Sequence, residues 1–204
     1  MSALATYSSI DGLACIRRGT RQLHQRLDRQ SPMAALVDPE CCAKTYRQVV
    51  MPLIETYAAV DRALQNHDRY RPQAIAPYSP RARRLARPFA NSIEWPSDDK
   101  LAFLNIDSTA SYLGGRYVVD GAQFGQRMIA RALIHSPAQR ELGMELSRFW
   151  RHTFVSTEHW RALCYRLELI HTRNEIASAV RMARYVFRLF LDRFERAKIA
   201  RANE

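Results

Sequence analysis

No run of apolar residues in this chain approaches the roughly 20 that a helix needs to cross a bilayer. Nor does the N-terminus, MSALATYSSIDGLACIRR, show a basic start followed by an apolar stretch. The first absence excludes a membrane-spanning class, and the second leaves no secretory signal, so a cytoplasmic location is expected. Cysteine is sparse: Cys41 and Cys42 are neighbours, Cys15 and Cys164 stand alone, and no CxxC or Cys/His group has zinc spacing. That excludes a disulfide scaffold and a zinc module, and leaves ordinary reduced thiols. Acidic residues are also short, 20 Asp and Glu against 31 Lys and Arg, for a net charge of +11. Such a charge suits nucleic acid, an anionic membrane surface, an acidic protein or an anionic ligand. The arginines, however, fall singly along helix faces, as at Arg181, Arg184, Arg188 and Arg193. The one short basic run, SPRARRLARP, has no interleaved aromatics. Nucleic acid is therefore not expected as a partner, and neither is a membrane.

What the sequence does contain is helical periodicity. Between residues 10 and 30, Leu13, Ile16, Leu23 and Leu27 recur at helical spacing with Thr20 filling the gap, and Asp11 is placed to cap the helix. A second helix is expected from Asp38 or Pro39 to about Asn66, with Tyr46, Val49, Val50, Leu53, Ile54, Tyr57 and Val60 on one face. The stretch NHDRYRPQAIAPYSPR reads as a loop, Arg81–Ser92 as a third helix, and Pro96 within PSDDK as a further break. One long helix is expected from Ser108 to Leu133, another from Pro137 bearing Leu142, Leu146, Phe149 and Trp150, and another opened by Ser156 or Thr157. The last, from about Thr172 to Ala200, has the cleanest stripe: Ile176, Ala179, Val180, Ala183, Val186, Phe187, Phe190, Leu191 and Phe194. No segment reads as a strand and no repeat is present. The expectation is an all-α fold in a single domain, residues 1–204, with about seven or eight helices.

Glycine is scarce too, which makes its placement informative. Four of the seven, Gly114, Gly115, Gly121 and Gly125, fall within twelve residues of that long central helix. Each interior glycine costs a helix about 1 kcal/mol relative to alanine. Alone, Gly121 and Gly125 read as sites of close packing between helices. His24 is the histidine with a distinctive setting, in RRGTRQLHQRLD. Asp28, at i+4, is placed to accept its Nδ1 proton and leave Nε2 for a metal. Arg17 and Arg21 lie two turns and one turn earlier, near the same face, with Arg18 beside them. Alone, such a pair reads as an ordinary feature of a helix surface.

Together these stretches carry a resemblance. LHQRLD at Leu23–Asp28 and LGGRYVVDGAQFGQ at Leu113–Gln126 resemble two motifs of the biliverdin-producing heme oxygenases. The likeness is closer to the bacterial branch that supplies bilin to bacteriophytochromes, whose motifs read like LHxxLD and LGALYVLEGSTLGG. FWRHTFVSTEHWRAL and IASAVRMARYVFRLF resemble later helices of the family. The resemblance implies a heme-oxygenase-like helical fold and oxygen- and reductant-dependent cleavage of heme to biliverdin, iron and carbon monoxide. It implies His24 as the proximal ligand of heme iron and Asp28 as the acceptor behind it. Arg17 and Arg21 would be cations for the propionates, and Tyr117 would lie near the heme edge. Gly121 and Gly125 would be distal glycines that let the backbone approach the ring and take part in catalysis. It also implies, as partners, an acidic electron donor such as ferredoxin or flavodoxin with its reductase, and a bacteriophytochrome as recipient of the product. GAQFGQ departs from GSTLGG: Ala122 lacks a hydroxyl, Gln126 replaces the last glycine, and Gln123 and Phe124 are larger or more polar than usual. These departures bear on the distal side and on turnover. A heme or bilin carrier without turnover, and a helical partner for an acidic protein, are the alternative readings.

Overall fold

A computed structural model describes residues 11–93, 95 and 103–202. The first ten residues of the stretch read for a signal peptide and the break at Pro96–Lys100 lie outside the described residues. Among the described residues the fold is all-α, with nine α-helices, three short 3₁₀ segments and no strand. No helix of the described chain is long and apolar enough to cross a membrane, and the four cysteines are free thiols.

The first helix, α1 (Gly12–Gln30), starts where expected. The Asp11 carboxylate accepts from the amides of Leu13 at 2.9 Å and Ala14 at 3.2 Å, satisfying two donors that the first turn otherwise leaves open. The second helix begins later than the sequence suggests. Pro32–Val37 is a 3₁₀ segment capped by Ser31, and α2 runs Ala43–Asn66. The expected helix at Arg81–Ser92 is only α3 (Ala82–Leu85) and a 3₁₀ turn at Arg87–Phe89, because Pro88 cannot donate the next helical bond.

Two long helices anticipated from periodicity are each divided. The Ser108–Leu133 segment is α4 (Thr109–Gly121) and α5 (Gln123–Leu133), jointed at Ala122, which stays right-handed at φ −57° and ψ −24°. The joint swaps helical bonding for a shorter step, with the amide of Gly125 donating to the carbonyl of Ala122 at 3.2 Å. The segment after Pro137 is α6 (Pro137–Leu142) and α7 (Met144–Arg151), separated by Gly143 at φ +73°, a conformation that other residues rarely adopt. These two breaks raise the helix count to nine. The remaining helices, α8 (Thr157–Glu168) and α9 (Arg173–Ala202), follow the sequence closely.

The architecture is organised by α9. Its stripe from Ile176 to Phe194 is buried, and α1, α2 and α4 all pack on it. Gly114 explains one of the clustered glycines: a Cβ there would run into the carbonyl of Ala179 and lie 2.9 Å from its Cα, so α4 meets α9 backbone to backbone. Helices α1 and α4 also both pack on α8. Two helices set on a shared support leave a groove between them, and that groove is the candidate site.

A buried charge network, not foreseen from the sequence, fixes the other side of α4. Asp120 (1% exposed) accepts from Arg81 Nη2 at 2.9 Å and from Arg116 Nε at 2.7 Å. Arg81, wholly buried, also donates to the carbonyl of Val119, and Arg116 donates to the carbonyl of Ala76 at 3.0 Å. Asp61 of α2 accepts from the Arg81 and Ala82 amides, both at 2.8 Å, and from the Tyr78 hydroxyl at 2.6 Å. Two cations thus face two carboxylates, and the aromatic faces of Tyr57, Tyr78 and Phe154 surround Arg81.

Removing one partner of such a cluster leaves an uncompensated buried charge. Asp120→Ala is expected to cost about 3–5 kcal/mol in chemical denaturation, whereas an exposed charge on α1 should cost under about 1 kcal/mol. Burial pushes the phenols of Tyr57 and Tyr78 up from the ordinary 10.0. Because the folded values lie above the unfolded ones, this stability is complete below pH 10 and is lost as the pH rises past it. Thermal unfolding followed from pH 8 to 11.5 should show the midpoint falling above about pH 10.

Candidate functional site

Helix α1 supplies one wall of the groove. Leu13, Ile16, Thr20 and Leu23 face the core, so residues offset by about a quarter turn, Arg17, Arg21, His24 and Asp28, lie along its open edge. His24 Nδ1 is 2.8 Å from Asp28 Oδ2. The contact orients the ring and directs Nε2 away from the carboxylate. Their side chains are 62% and 60% exposed. The imidazole is also seated from below: its ring meets the edge of Phe187 of α9 at 5.7 Å and 62°.

Arg17, Arg18, Thr20, Arg21, His24, Gln25 and Tyr117 line one open cavity of about 600 Å³, within the roughly 300–1,000 Å³ range of small-molecule sites. Four of the sequence candidates, Arg17, Arg21, His24 and Tyr117, therefore share one cavity, although Tyr117 lies on α4. Burial pushes the Tyr117 phenol up, and the charge and hydrogen bond of Arg17 oppose that shift. Asp28 sits behind His24 and does not line the cavity.

The two remaining candidates occupy different surroundings. Gly125, on α5, is exposed and has nothing within 4 Å of where a Cβ would stand. A Cβ on Gly121, at the end of α4, would meet Trp160 Cη2 at 3.3 Å. Neither glycine lines the cavity. Helical spacing carries Tyr117, Gly121, Phe124 and Met128 along one side of α4 and α5, and Phe124 and Met128 are 60% and 63% exposed.

The departures from the resembling motif resolve into structural roles. Gln123 Oε1 accepts from the amide of Val155 at 3.2 Å, tying α5 to the segment before α8. Gln126 faces the core and is buried, its Nε2 without a hydrogen-bond partner among the described residues. Sequence reasoning placed Trp160 with Leu163, Leu167 and Ile170 along the helix opened by Ser156 or Thr157 and gave it no part in the site. In the structure its indole, in the first turn of α8, stacks on Tyr117 at 5.7 Å and meets Phe124 edge-on at 5.3 Å.

Among the described residues, no three His, Cys, Asp or Glu side chains converge to hold a metal ion. A single imidazole suits an axial position on a metal whose other ligands belong to a macrocycle.

Residues 12–92 match the family model described as heme oxygenase. The match supports the heme oxygenase family. It covers somewhat under half of the chain, takes in Arg17, Arg21, His24 and Asp28, and stops before Tyr117, Gly121 and Gly125. No curated protein and no solved structure matches the chain.

In the apo protein Gly125→Ala meets open space, so thermal unfolding should show a change between zero and a gain of about 1 kcal/mol from helix propensity. Gly114→Ala, which forces α4 off α9, should instead lose at least about 1–3 kcal/mol.

Proposed function

We propose that this chain is a heme oxygenase that cleaves heme to biliverdin, iron and carbon monoxide, using molecular oxygen and electrons from an external reductant. The observation that carries the reading is one cavity shared by a carboxylate-oriented imidazole on α1, three arginines beside it and a tyrosine from the facing helix.

The residues present fit a heme. His24 Nε2 would hold the iron, and Asp28, accepting from Nδ1, keeps the other nitrogen free for it and makes the ring a stronger donor. Arg17 and Arg21 are positioned for the two propionates, where charge-assisted bonds to carboxylates are strong. Tyr117 contributes an aromatic wall on the side facing Arg17. Exposed Phe124 and Met128 offer apolar cover for a hydrophobic ring. Gly125 leaves room for close approach of the α5 backbone, and Gly121 ends the helix beside it. When bound, heme supplies the iron that activates oxygen and the ring that is oxidised. The chain's part is to fix the ring's position, neutralise its acid groups and crowd its far side.

The exposed arginines of α1 and the net charge of +11 favour encounter with an acidic electron donor of the ferredoxin or flavodoxin kind. A cytoplasmic setting in a bacterium, with the product passed to a bacteriophytochrome, completes the proposal.

Hemin titration tests it. Wild type should give an imidazole-type Soret band that bleaches to a bilin spectrum when reductant is added in air. His24→Ala should lose that band and recover part of it with added imidazole, while unfolding stays within about 1 kcal/mol of wild type because the site is exposed. An unchanged ferric spectrum in His24→Ala would reject His24 as the ligand. Arg17→Glu with Arg21→Glu should weaken hemin binding by at least about tenfold, given about 1.5–3 kcal/mol for each charge-assisted bond. Equal affinity would place the acid groups elsewhere.

A further inference from the structure

We infer that Trp160 is a positioning residue of the cleft, an indole clamp from α8 that fixes the α4–α5 joint and thereby the aromatic side of the site. This rests on the heme reading only for the identity of what is positioned; the clamp itself is read from the apo geometry.

The indole touches both sides of the joint at Ala122. On α4 it stacks against Tyr117, with centroids 5.7 Å apart and planes at 29°, and its Cη2 lies 3.3 Å from where a Gly121 Cβ would stand. On α5 it meets Phe124 at 5.3 Å and 71°. The offset-stacked and edge-to-face geometries are the two that aromatic quadrupoles favour. The joint needs such a support. At Ala122 the bonding shifts from the four-residue step, Ala122 amide to Val118 carbonyl at 3.1 Å, to the three-residue step at Gly125. Two of the five residues from 121 to 125 are glycines, which constrain the backbone least. Packing around α5 is also one-sided: Gln126, Ile129, Ala130 and Leu133 are buried, while Phe124, Gly125, Arg127 and Met128 are exposed. Trp160 is the half-buried ring that bridges the exposed side. Gly121 fits this role, since a Cβ there would stand 3.3 Å from the indole Cη2, close enough to press the ring back from the helix.

The consequence for the cleft follows from Tyr117. Its ring is both a wall of the cavity, which Arg17 of α1 also lines, and the stacking partner of Trp160. Loss of the indole frees Tyr117 and removes one support of the joint at Ala122, leaving α5 held by the Gln123–Val155 bond and by its packing on α7. His24 and Asp28 lie on α1. A bound ring would keep its bond from His24 and lose a fixed orientation in the cleft.

The experiment compares wild type, Trp160→Ala, Trp160→Phe and Gly121→Ala, by amide hydrogen exchange of the apo proteins and by proton NMR of the cyanide-ligated ferric hemin complexes. Trp160→Ala should exchange at least about tenfold faster over residues 121–125. It should keep the imidazole-type Soret band and show several sets of hyperfine-shifted heme methyl resonances where wild type shows one dominant set. Trp160→Phe should restore most of the wild-type pattern. Gly121→Ala, whose methyl pushes on Cη2, should accelerate exchange in the wild-type background and lose that effect in Trp160→Phe, which lacks the atom, a coupling that independent structural damage would not give. Wild-type exchange in Trp160→Ala, or a wild-type methyl pattern in its hemin complex, overturns the inference. Should Trp160→Ala not fold, the coupling between Gly121→Ala and Trp160→Phe decides it, and additive effects overturn it. If wild type itself gives no hemin band, the heme reading fails, and exchange in the apo variants still decides the clamp.

Discussion

The carboxylate of Asp120, buried between Arg81 and Arg116, is the constraint on which the rest of the arrangement depends. A charge taken out of water is tolerated where its partners are close and most of their hydrogen-bonding groups are met. Here the two terminal nitrogens of Arg81 are met by Asp120 and the Val119 carbonyl and its backbone amide by Asp61 of α2, and its Nε alone has no hydrogen-bond partner among the described residues. Arg116 is met by Asp120 and the Ala76 carbonyl. The network therefore ties α2, the proline-rich loop, α3 and α4 into one body. Asp120 immediately precedes Gly121, so the end of α4 that faces the site is anchored from behind.

The opposite side of α4 is fixed by a contact of another kind. At Gly114 the backbone of α4 lies against that of Ala179, with no side chain between them. Gly19 of α1 is likewise seated over Val180. Two helices drawn onto one support by small residues leave a groove between them, lined by Arg17, Arg21 and His24 on one side and Tyr117 on the other. Aromatic rings then furnish the groove: Phe187 beneath His24, and Trp160 behind Tyr117.

The distribution of charge separates folding from function. The buried cations are matched by buried carboxylates, so they add nothing to the field outside. The excess is carried on exposed faces, including Arg17, Arg18 and Arg21 at the mouth of the cavity. The proposal that a flat, apolar dianion carrying its own metal binds here rests on one imidazole, several guanidiniums and apolar rings around one cavity, together with the family match over the helix bearing His24.

Sequence alone determined the helical class, the cap at Asp11, the helix starts near Ser108 and at Ser156 or Thr157, and the apolar stripe of α9, because periodicity and capping are local and each residue reports its own face. It also determined the i, i+4 pairing of His24 with Asp28 and their register with Arg17 and Arg21, which follow from helical geometry on one element. The joint at Ala122 was not legible, since a helical pattern runs unbroken across it, while in the fold α4 packs on α9 and α8 and α5 packs on α7 and the 3₁₀ segment Pro32–Val37. Nor was the burial of Arg81, which sits in a stretch that reads as a basic surface run. Only the tertiary structure brought Tyr117 to the helix of His24 and Trp160 to Gly121, because contacts between residues 93 and 39 positions apart are set by how helices pack on α9 and α8, and no local rule in the chain encodes that distance.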